Sequence, residues 1–353
     1  MRRNIRVITV DDSAFARYAI TRQLQSDPDI EVIDFARDGA EALEKIQVLR
    51  PDVVTLDVEM PRMDGITALE RIMLVCPTPV VMLSSLTGKG TEATIRALER
   101  GAVDFFLKPS LAIPAGGNEE ANDLIAKIKL AAKVNVLKLN GGSYVKESIF
   151  RKVERQAGEF ISPSKIVVIG SSTGGPRALY QVIPALPAQI PAAVLIIQHM
   201  PPNFTRTLAE RLNQLSQIEV KEAAEGDMLR QGQALLAPGG YHTQVSKNGM
   251  IELNQKPPIM GIRPSVDVAM ESVAPVFRAS TVGVVLTGMG SDGTKGTSFI
   301  KAAGGRVVAE DESTCAVYGM PRSVIEAGNA DSVVPLPQIA AEIINMLNGR
   351  GAQ

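Results

Sequence analysis

Ile5-Arg6-Val7-Ile8-Thr9-Val10-Asp11-Asp12 is the stretch that decides the fold of the front of the chain. An apolar, largely β-branched run stops in two acids, and Ser13 to Gln25 follows with helical periodicity and a serine near its start. The same unit recurs outward from there. Strand 31 to 35 is followed by helix 39 to 48, strand 52 to 56 by helix 64 to 75, and strand 79 to 83 by helix 90 to 100. Strand 103 to 107 then leads to a helix at 119 to 132. Alternating β and α with near-continuous apolar strands predicts the α/β class, with a doubly wound parallel sheet covered by helices on both faces.

Ligands of such sheets sit beyond the carboxyl ends of the strands. Asp11 and Asp12 follow the first strand, Asp57 ends the third, Ser84 the fourth and Lys108 the fifth, so all five groups fall on one edge. Three converging carboxylates repel one another unless a cation neutralises them, and an all-oxygen ligand set suits Mg²⁺. A lysine beside them steadies an incoming phosphoryl oxygen. Any one of these acids could be a simple helix N-cap, but the full set reads as a metal and phosphoryl site.

With Asp57-Val-Glu-Met-Pro and Leu107-Lys108-Pro109 added, residues 3 to 130 resemble the response-regulator receiver family. The resemblance implies a flavodoxin-like fold with Asp57 as phosphoacceptor. It implies Asp12 and Asp57 as Mg²⁺ ligands, with Asp11 acting through water. Ser84 would be the hydroxyl that moves toward the phosphoryl group, Lys108 its contact, and Phe105 the rotating aromatic. As a core residue Phe105 would need no such function.

The chain has 353 residues, more than one typical core holds, which predicts two domains. With 37 basic and 38 acidic residues the net charge is -1, so nothing marks a nucleic-acid partner, which needs clustered Lys and Arg. Cys76 and Cys315 lie too far apart in sequence for a disulfide framework or a zinc site. Met1 to Val7 runs straight into a strand with no long apolar segment, which predicts neither a signal peptide nor a spanning helix, and hence a cytoplasmic protein. The expected domains are 1 to 132 and 161 to 353. A solvated linker is expected over 133 to 160, where Gly141-Gly142-Ser143 and a mixed-charge segment from Lys146 to Arg155 weaken the periodicity.

Beyond 160 a second β-α series begins. Strand 166 to 169 runs into Gly170-Ser171-Ser172-Thr173-Gly174-Gly175-Pro176 and an Arg177 to Pro184 helix. Pro176 suits a first helical turn, and the amides before it are expected to face an anion. Strand 193 to 198 ends in Gln198-His199-Met200-Pro201-Pro202, followed by helix 203 to 216. Gln233 to Ala237 and then 241 to 255 have a different texture, with Asn248-Gly249 as a hairpin signal. Helix 264 to 277, strand 281 to 287, helix 294 to 303, strand 305 to 309 and a closing helix at 337 to 348 complete a second, Rossmann-like doubly wound sheet with an antiparallel flap.

The strand-end rule now lines up Ser172, His199 and Asp292. A serine hydroxyl needs a base, and an imidazole needs a carboxylate to fix its tautomer, so these three form a candidate hydrolytic triad. His242 is the other possible base, placed to line the cleft. Gly288-Met289-Gly290-Ser291-Asp292-Gly293 competes as a G-x-G-x-x-G dinucleotide loop, with Glu310-Asp311-Glu312 about twenty residues on. On that reading the chain is a receiver-controlled oxidoreductase. Against it, the loop comes late in the domain and carries a carboxylate that repels pyrophosphate. A phosphoryl sink without enzyme activity would need only the front domain.

Gly170-Ser-Ser-Thr-Gly-Gly-Pro, Gln198-His-Met-Pro-Pro, Ala237-Pro-Gly and Thr287-Gly-Met-Gly-Ser-Asp-Gly together resemble the catalytic domain of the chemotaxis protein-glutamate methylesterase family, over about 165 to 350. The family turn usually reads Gly-Ala-Ser-Thr-Gly-Gly, so Ser171 is a departure. The resemblance implies hydrolysis of glutamate γ-methyl esters on methylated chemoreceptor cytoplasmic domains, and deamidation of receptor glutamines, with no cofactor for the esterase. It further implies Ser172 as nucleophile, His199 as proton shuttle, Asp292 as its orienting acid, and an oxyanion held by main-chain amides near Thr173 and Met289. The chemotaxis histidine kinase would be the phosphodonor.

Overall fold

The computed structural model describes residues 3–85, 88–108, 118–136 and 161–349. Most of the expected linker, including Gly141-Gly142-Ser143 and Lys146 to Arg155, lies outside them, as does Pro109. The chain divides into two compact units, Met1–Tyr144 and Val145–Gln353.

The first unit runs β1 (Ile5–Val10), α1 (Ala14–Leu24), β2 (Ile30–Ala36), α2 (Gly39–Leu49), β3 (Val53–Asp57), α3 (Gly65–Val75), β4 (Val80–Ser84), α4 (Gly88–Glu99), β5 (Asp104–Leu107) and α5 (Asn118–Ala131). Its five strands form one parallel sheet in the order β2-β1-β3-β4-β5. Every residue of β3 and β4 is buried, as the unbroken apolar runs require when helices cover both faces. Short polar side chains start the helices. Ser13 accepts from Ala16 N, Asp38 from Ala40 N and Glu41 N, and Asp64 from Thr67 N, each satisfying amides that the first helical turn leaves without partners.

The second unit runs β6 (Ile166–Ser171), α6 (Gly175–Val182), β7 (Ala193–Gln198), α7 (Phe204–Leu215), β8 (Glu219–Glu222), β9 (Gln233–Leu236), β10 (His242–Val245), β11 (Ile251–Asn254), α8 (Val266–Phe277), β12 (Thr281–Val285), α9 (Thr294–Ala302), β13 (Arg306–Glu310), α10 (Met320–Glu326), β14 (Ser332–Val334) and α11 (Ile339–Leu347). A seven-stranded parallel sheet has the order β14-β13-β12-β6-β7-β9-β8, and β10 and β11 form the antiparallel hairpin. Two edge strands, β8 and β14, and helix α10 were not expected. Glu219-Val-Lys-Glu is mostly polar because an edge strand buries little, and Ser332–Val334 is too short to show a period. Gln233–Leu236 belongs to the main sheet, beside β7, and is wholly buried there. The Asn248-Gly249 turn is real, with Gly249 at φ +76° and its amide donating to Ser246 O at 3.0 Å.

Strand β6 has β7 on one side and β12 on the other, so the chain reverses its direction of winding at β6. Crevices in doubly wound sheets open at such points, outside the strands' carboxyl ends.

Candidate active site

On the first sheet edge, Lys108 Nζ lies 2.6 Å from Asp11 Oδ2 and 2.8 Å from Asp57 Oδ1. Asp11, Asp12 and Asp57 each bring a carboxylate oxygen within 4.8 Å of the others. Burial pushes Asp57 up to about 6, and the neighbouring Asp11 charge adds to this, against the pull of Lys108. Burial opposes the Lys108 charge too, but the two carboxylates outweigh it and hold the ammonium above its ordinary value. One ammonium therefore faces more negative charge than it offsets, and a hard cation fits these three oxygen donors. Ser84 Oγ is wholly buried and turned to α4, 2.7 Å from Thr94 Oγ1. Phe105 is buried beneath Lys127, whose Nζ sits 5.8 Å from the ring centre and 3.1 Å from Asp104 Oδ2.

In the second unit, the strand-end residues of β6, β7 and the turn after β12 converge at the reversal point. Ser171 pairs with Gln198 in register, so Ser172 and His199 are the next residues on adjacent strands, and His199 N donates to Ser171 O at 3.0 Å. His199 Nε2 lies 2.8 Å from Asp292 Oδ2. A carboxylate only accepts, so Nε2 carries a proton, and in the neutral imidazole the lone pair is then on Nδ1. Among the described residues no hydrogen bond joins Ser172 Oγ to the imidazole, a gap often seen without substrate. His242 is not part of this group. It is buried on β10 with Nε2 3.2 Å from Pro257 O.

Asp292 is itself held at the N-terminus of α8. Ser265 Oγ donates to Oδ1 at 2.9 Å, Asp267 N to Oδ1 at 3.0 Å and Val266 N to Oδ2 at 2.6 Å. Burial raises the Asp292 carboxyl, but the His199 hydrogen bond and charge, with the Asp267 and Val266 amides, hold it below the usual value. The positive end of the helix contributes in the same direction. Asp267, in the first turn of α8, instead accepts from Gly293 N at 2.8 Å and Gly296 N at 2.7 Å, fixing the loop that carries Asp292. Burial and the adjacent Asp292 charge push it up, against those two amides.

Ser172 is held from below by Thr287. Ser172 N donates to Thr287 O at 3.0 Å, and Thr287 Oγ1 donates to Thr173 O at 3.0 Å. Thr287 N in turn donates to Glu310 Oε2 at 2.8 Å. Glu310 is wholly buried, and burial pushes it up to about 7 against the Thr287 amide and the Thr314 hydroxyl. Gly288 is packed so closely that a Cβ there would come within 2.8 Å of Ser172 Cβ, so the turn passes directly beside the serine. Met289 follows with a half-exposed side chain, and its amide has no acceptor among the described residues. At the other turn, the expectation that the amides before Pro176 face an anion needs correction at Gly175. Helix α6 starts at Gly175, two residues before Arg177, and Gly175 N closes on Ser172 O at 2.7 Å.

The dinucleotide reading fails on this geometry. Asp292 is buried against His199, the Gly293 and Gly296 amides that would meet pyrophosphate are bonded to Asp267, and Glu310 is buried under Thr287.

The CheB methylesterase family model matches residues 167–343, and the response regulator receiver domain model matches residues 7–112. A protein-glutamate methylesterase/protein-glutamine glutaminase of Symbiobacterium thermophilum is 52% identical over 351 residues, covering 97% of both chains. The chain belongs to the CheB methylesterase family. A protein-glutamate methylesterase/protein-glutamine glutaminase of Pyrococcus abyssi is 48% identical over 358 residues, covering 99% of this chain and 96% of that one. The crystal structure of the Thermotoga maritima CheB methylesterase catalytic domain superposes with a TM-score of 0.51 at 46% identity, over 53% of this chain and 100% of that one. Within this CheB family member, no helix among the described residues is long and apolar enough to cross a membrane. Ser265, Val266 and Asp267 escaped the sequence reading, which held Gln198 only as part of a motif and Glu310 only as the acid of the dinucleotide alternative. A serine before a helix reads as an ordinary N-cap, and nothing local shows that Asp292, 27 residues later, is its partner.

Proposed function

We propose that this protein hydrolyses glutamate γ-methyl esters on chemoreceptor cytoplasmic helices, deamidates receptor glutamines, and is regulated through phosphorylation of Asp57. The observation that carries the esterase reading is the His199 Nε2 to Asp292 Oδ2 hydrogen bond of 2.8 Å beside Ser172, at the point where the sheet reverses.

Ser172 Oγ attacks the ester carbonyl carbon and gives its proton to His199 Nδ1, the nitrogen that the Asp292 contact leaves with a lone pair. Asp292 offsets the imidazolium charge, and the α8 donors keep it ionised. The tetrahedral oxyanion is stabilised by amides near Thr173 and Met289. His199 then protonates the departing methoxide, methanol leaves, and an acyl-serine remains. Water, deprotonated by His199, attacks that ester and releases the glutamate carboxylate and Ser172. A glutamine side chain follows the same course with ammonia as leaving group.

At the other site, a histidine kinase donates the phosphoryl group to Asp57. Asp11, Asp12 and Asp57 would hold Mg²⁺, which supplies positive charge to the phosphoryl oxygens. Lys108 contacts one of those oxygens, and Ser84 leaves Thr94 to meet another. Incubating methyl-labelled receptor membranes with the protein, with and without a small phosphodonor, tests both parts. Methanol release that increases with phosphodonor is expected. Absence of release from folded protein overturns the esterase reading, and release indifferent to phosphodonor overturns the regulatory one.

A further inference from the structure

Gln198 is a buried polar residue, 1% exposed, that the hydrolytic scheme above does not use. Its Nε2 lies 2.9 Å from Ser172 O and 3.1 Å from His199 O, the main-chain carbonyls of the two residues given the roles of nucleophile and base. Its Oε1 lies 2.7 Å from the hydroxyl of Ser171, which is wholly buried. Chemistry alone orients this amide. Two carbonyl oxygens only accept, so the NH₂ must face them and Oε1 must face Ser171, whose hydroxyl then donates.

The main-chain ladder between β6 and β7 ends with the donation of His199 N to Ser171 O. One residue further on, nothing in the backbone ties Ser172 to His199, and the Gln198 side chain supplies that tie. Ser172 O receives Gly175 N at 2.7 Å as well as Gln198 Nε2, so its peptide plane is fixed from two directions. The slot is closed on its remaining side, since a Cβ on Gly175 would come within 2.1 Å of Gln198 Oε1.

We propose that Gln198 is a positioning residue that sets the spacing between Ser172 and His199 by bridging their carbonyls, with Ser171 holding its amide in the working orientation. This rests on the reading of Ser172 and His199 as nucleophile and base. A clamp of this kind acts on the alignment reached in the transition state, so its loss falls on kcat more than on KM.

The test is steady-state kinetics of the full chain on methylated receptor membranes for Gln198→Met, Ser171→Ala, the double variant and Ser172→Ala, with melting curves for each. Gln198→Met keeps the side-chain bulk and removes the bridge, and should lower kcat on the order of 10²-fold with KM within about threefold. Ser171→Ala should lower kcat by about three- to tenfold, the range for one lost hydrogen bond. The double variant should be no worse than Gln198→Met, because Ser171 acts only through Gln198. Parental kcat in folded Gln198→Met, a loss confined to KM, or losses that multiply in the double variant overturns the proposal. Where Gln198→Met does not fold, Ser171→Ala decides alone, and parental kcat overturns it. Full activity in Ser172→Ala overturns the nucleophile reading, and this inference with it.

Discussion

The two sheets place carboxylates by the same rule and then treat them in opposite ways. Asp57 ends β3 on an edge where Asp11 stands beside it and Lys108 is the cation in contact, and burial carries it up to about 6. Asp292 lies in the turn after β12, also buried, yet the His199 ring and the Asp267 and Val266 amides at the start of α8 hold it below the ordinary value. Strand ends decide where an acid stands, and the donors aimed at it decide what it is ready to do. A carboxylate short of positive charge favours a bound cation. One already saturated with donors is set to orient and charge-match an imidazole.

That contrast can be broken first at the serine. Ser172→Ala should lose on the order of 10³-fold or more in kcat on methylated receptor, given what triad deletions cost. Near-parental turnover would leave the second site without its nucleophile. Asp292→Asn keeps the shape but removes the charge that matches the imidazolium, and should lower kcat roughly 10²-fold or more, with KM little changed. Kinetics showing a change in KM alone would mean that Asp292 is structural.

The front sheet should answer differently. Asp57→Ala should abolish phosphorylation and stimulation by a small phosphodonor while leaving basal esterase activity within about twofold, because the hydrolytic scheme makes no use of Asp57. Acid-labile phosphate retained on the variant would refute this. Ser265→Ala removes one of the α8 donors to Asp292 and should reduce kcat by about tenfold or less, as one hydrogen bond to a charged group allows. A loss as large as that of Asp292→Asn would show that the donors are not shared.

The smallest effect concerns Glu310. Its folded value near 7 lies above the ordinary 4.5, so the folded state binds the proton more tightly. The stability this confers is fully present below the unfolded value and is lost as pH rises through the folded one. Glu310→Gln can still accept from Thr287 N and does not ionise. The Tm of the variant should therefore gain on the parent by several degrees between about pH 5 and about pH 8. A Tm difference that stays flat with pH would mean that Glu310 does not titrate in this window.

Much of this was legible without coordinates. The unbroken apolar runs of β3, β4, β6 and β7 announce strands buried on both faces, and their polar terminators mark the candidate sites, because ligands of a parallel sheet sit beyond its strand ends. The same logic misses β8, whose Glu-Val-Lys-Glu covers an edge, and it misplaces the start of α6, where Gly174 at φ +78° turns the chain into the helix early.

The amino-acid order by itself therefore determined the two α/β units, the strand-end positions of Asp11, Asp12, Asp57, Ser84, Lys108, Ser172, His199 and Asp292, and the family to which the chain belongs. Tertiary structure alone decided which nitrogen of His199 meets Asp292, that the start of α8 supports that acid, that Gln198 spans the carbonyls of Ser172 and His199, and that Glu310 lies beneath Thr287. The physical reason is range. Periodicity and capping are written in contacts a few residues apart, whereas these hydrogen bonds, the one from Gln198 to its neighbour His199 apart, join residues 23 to 93 positions apart.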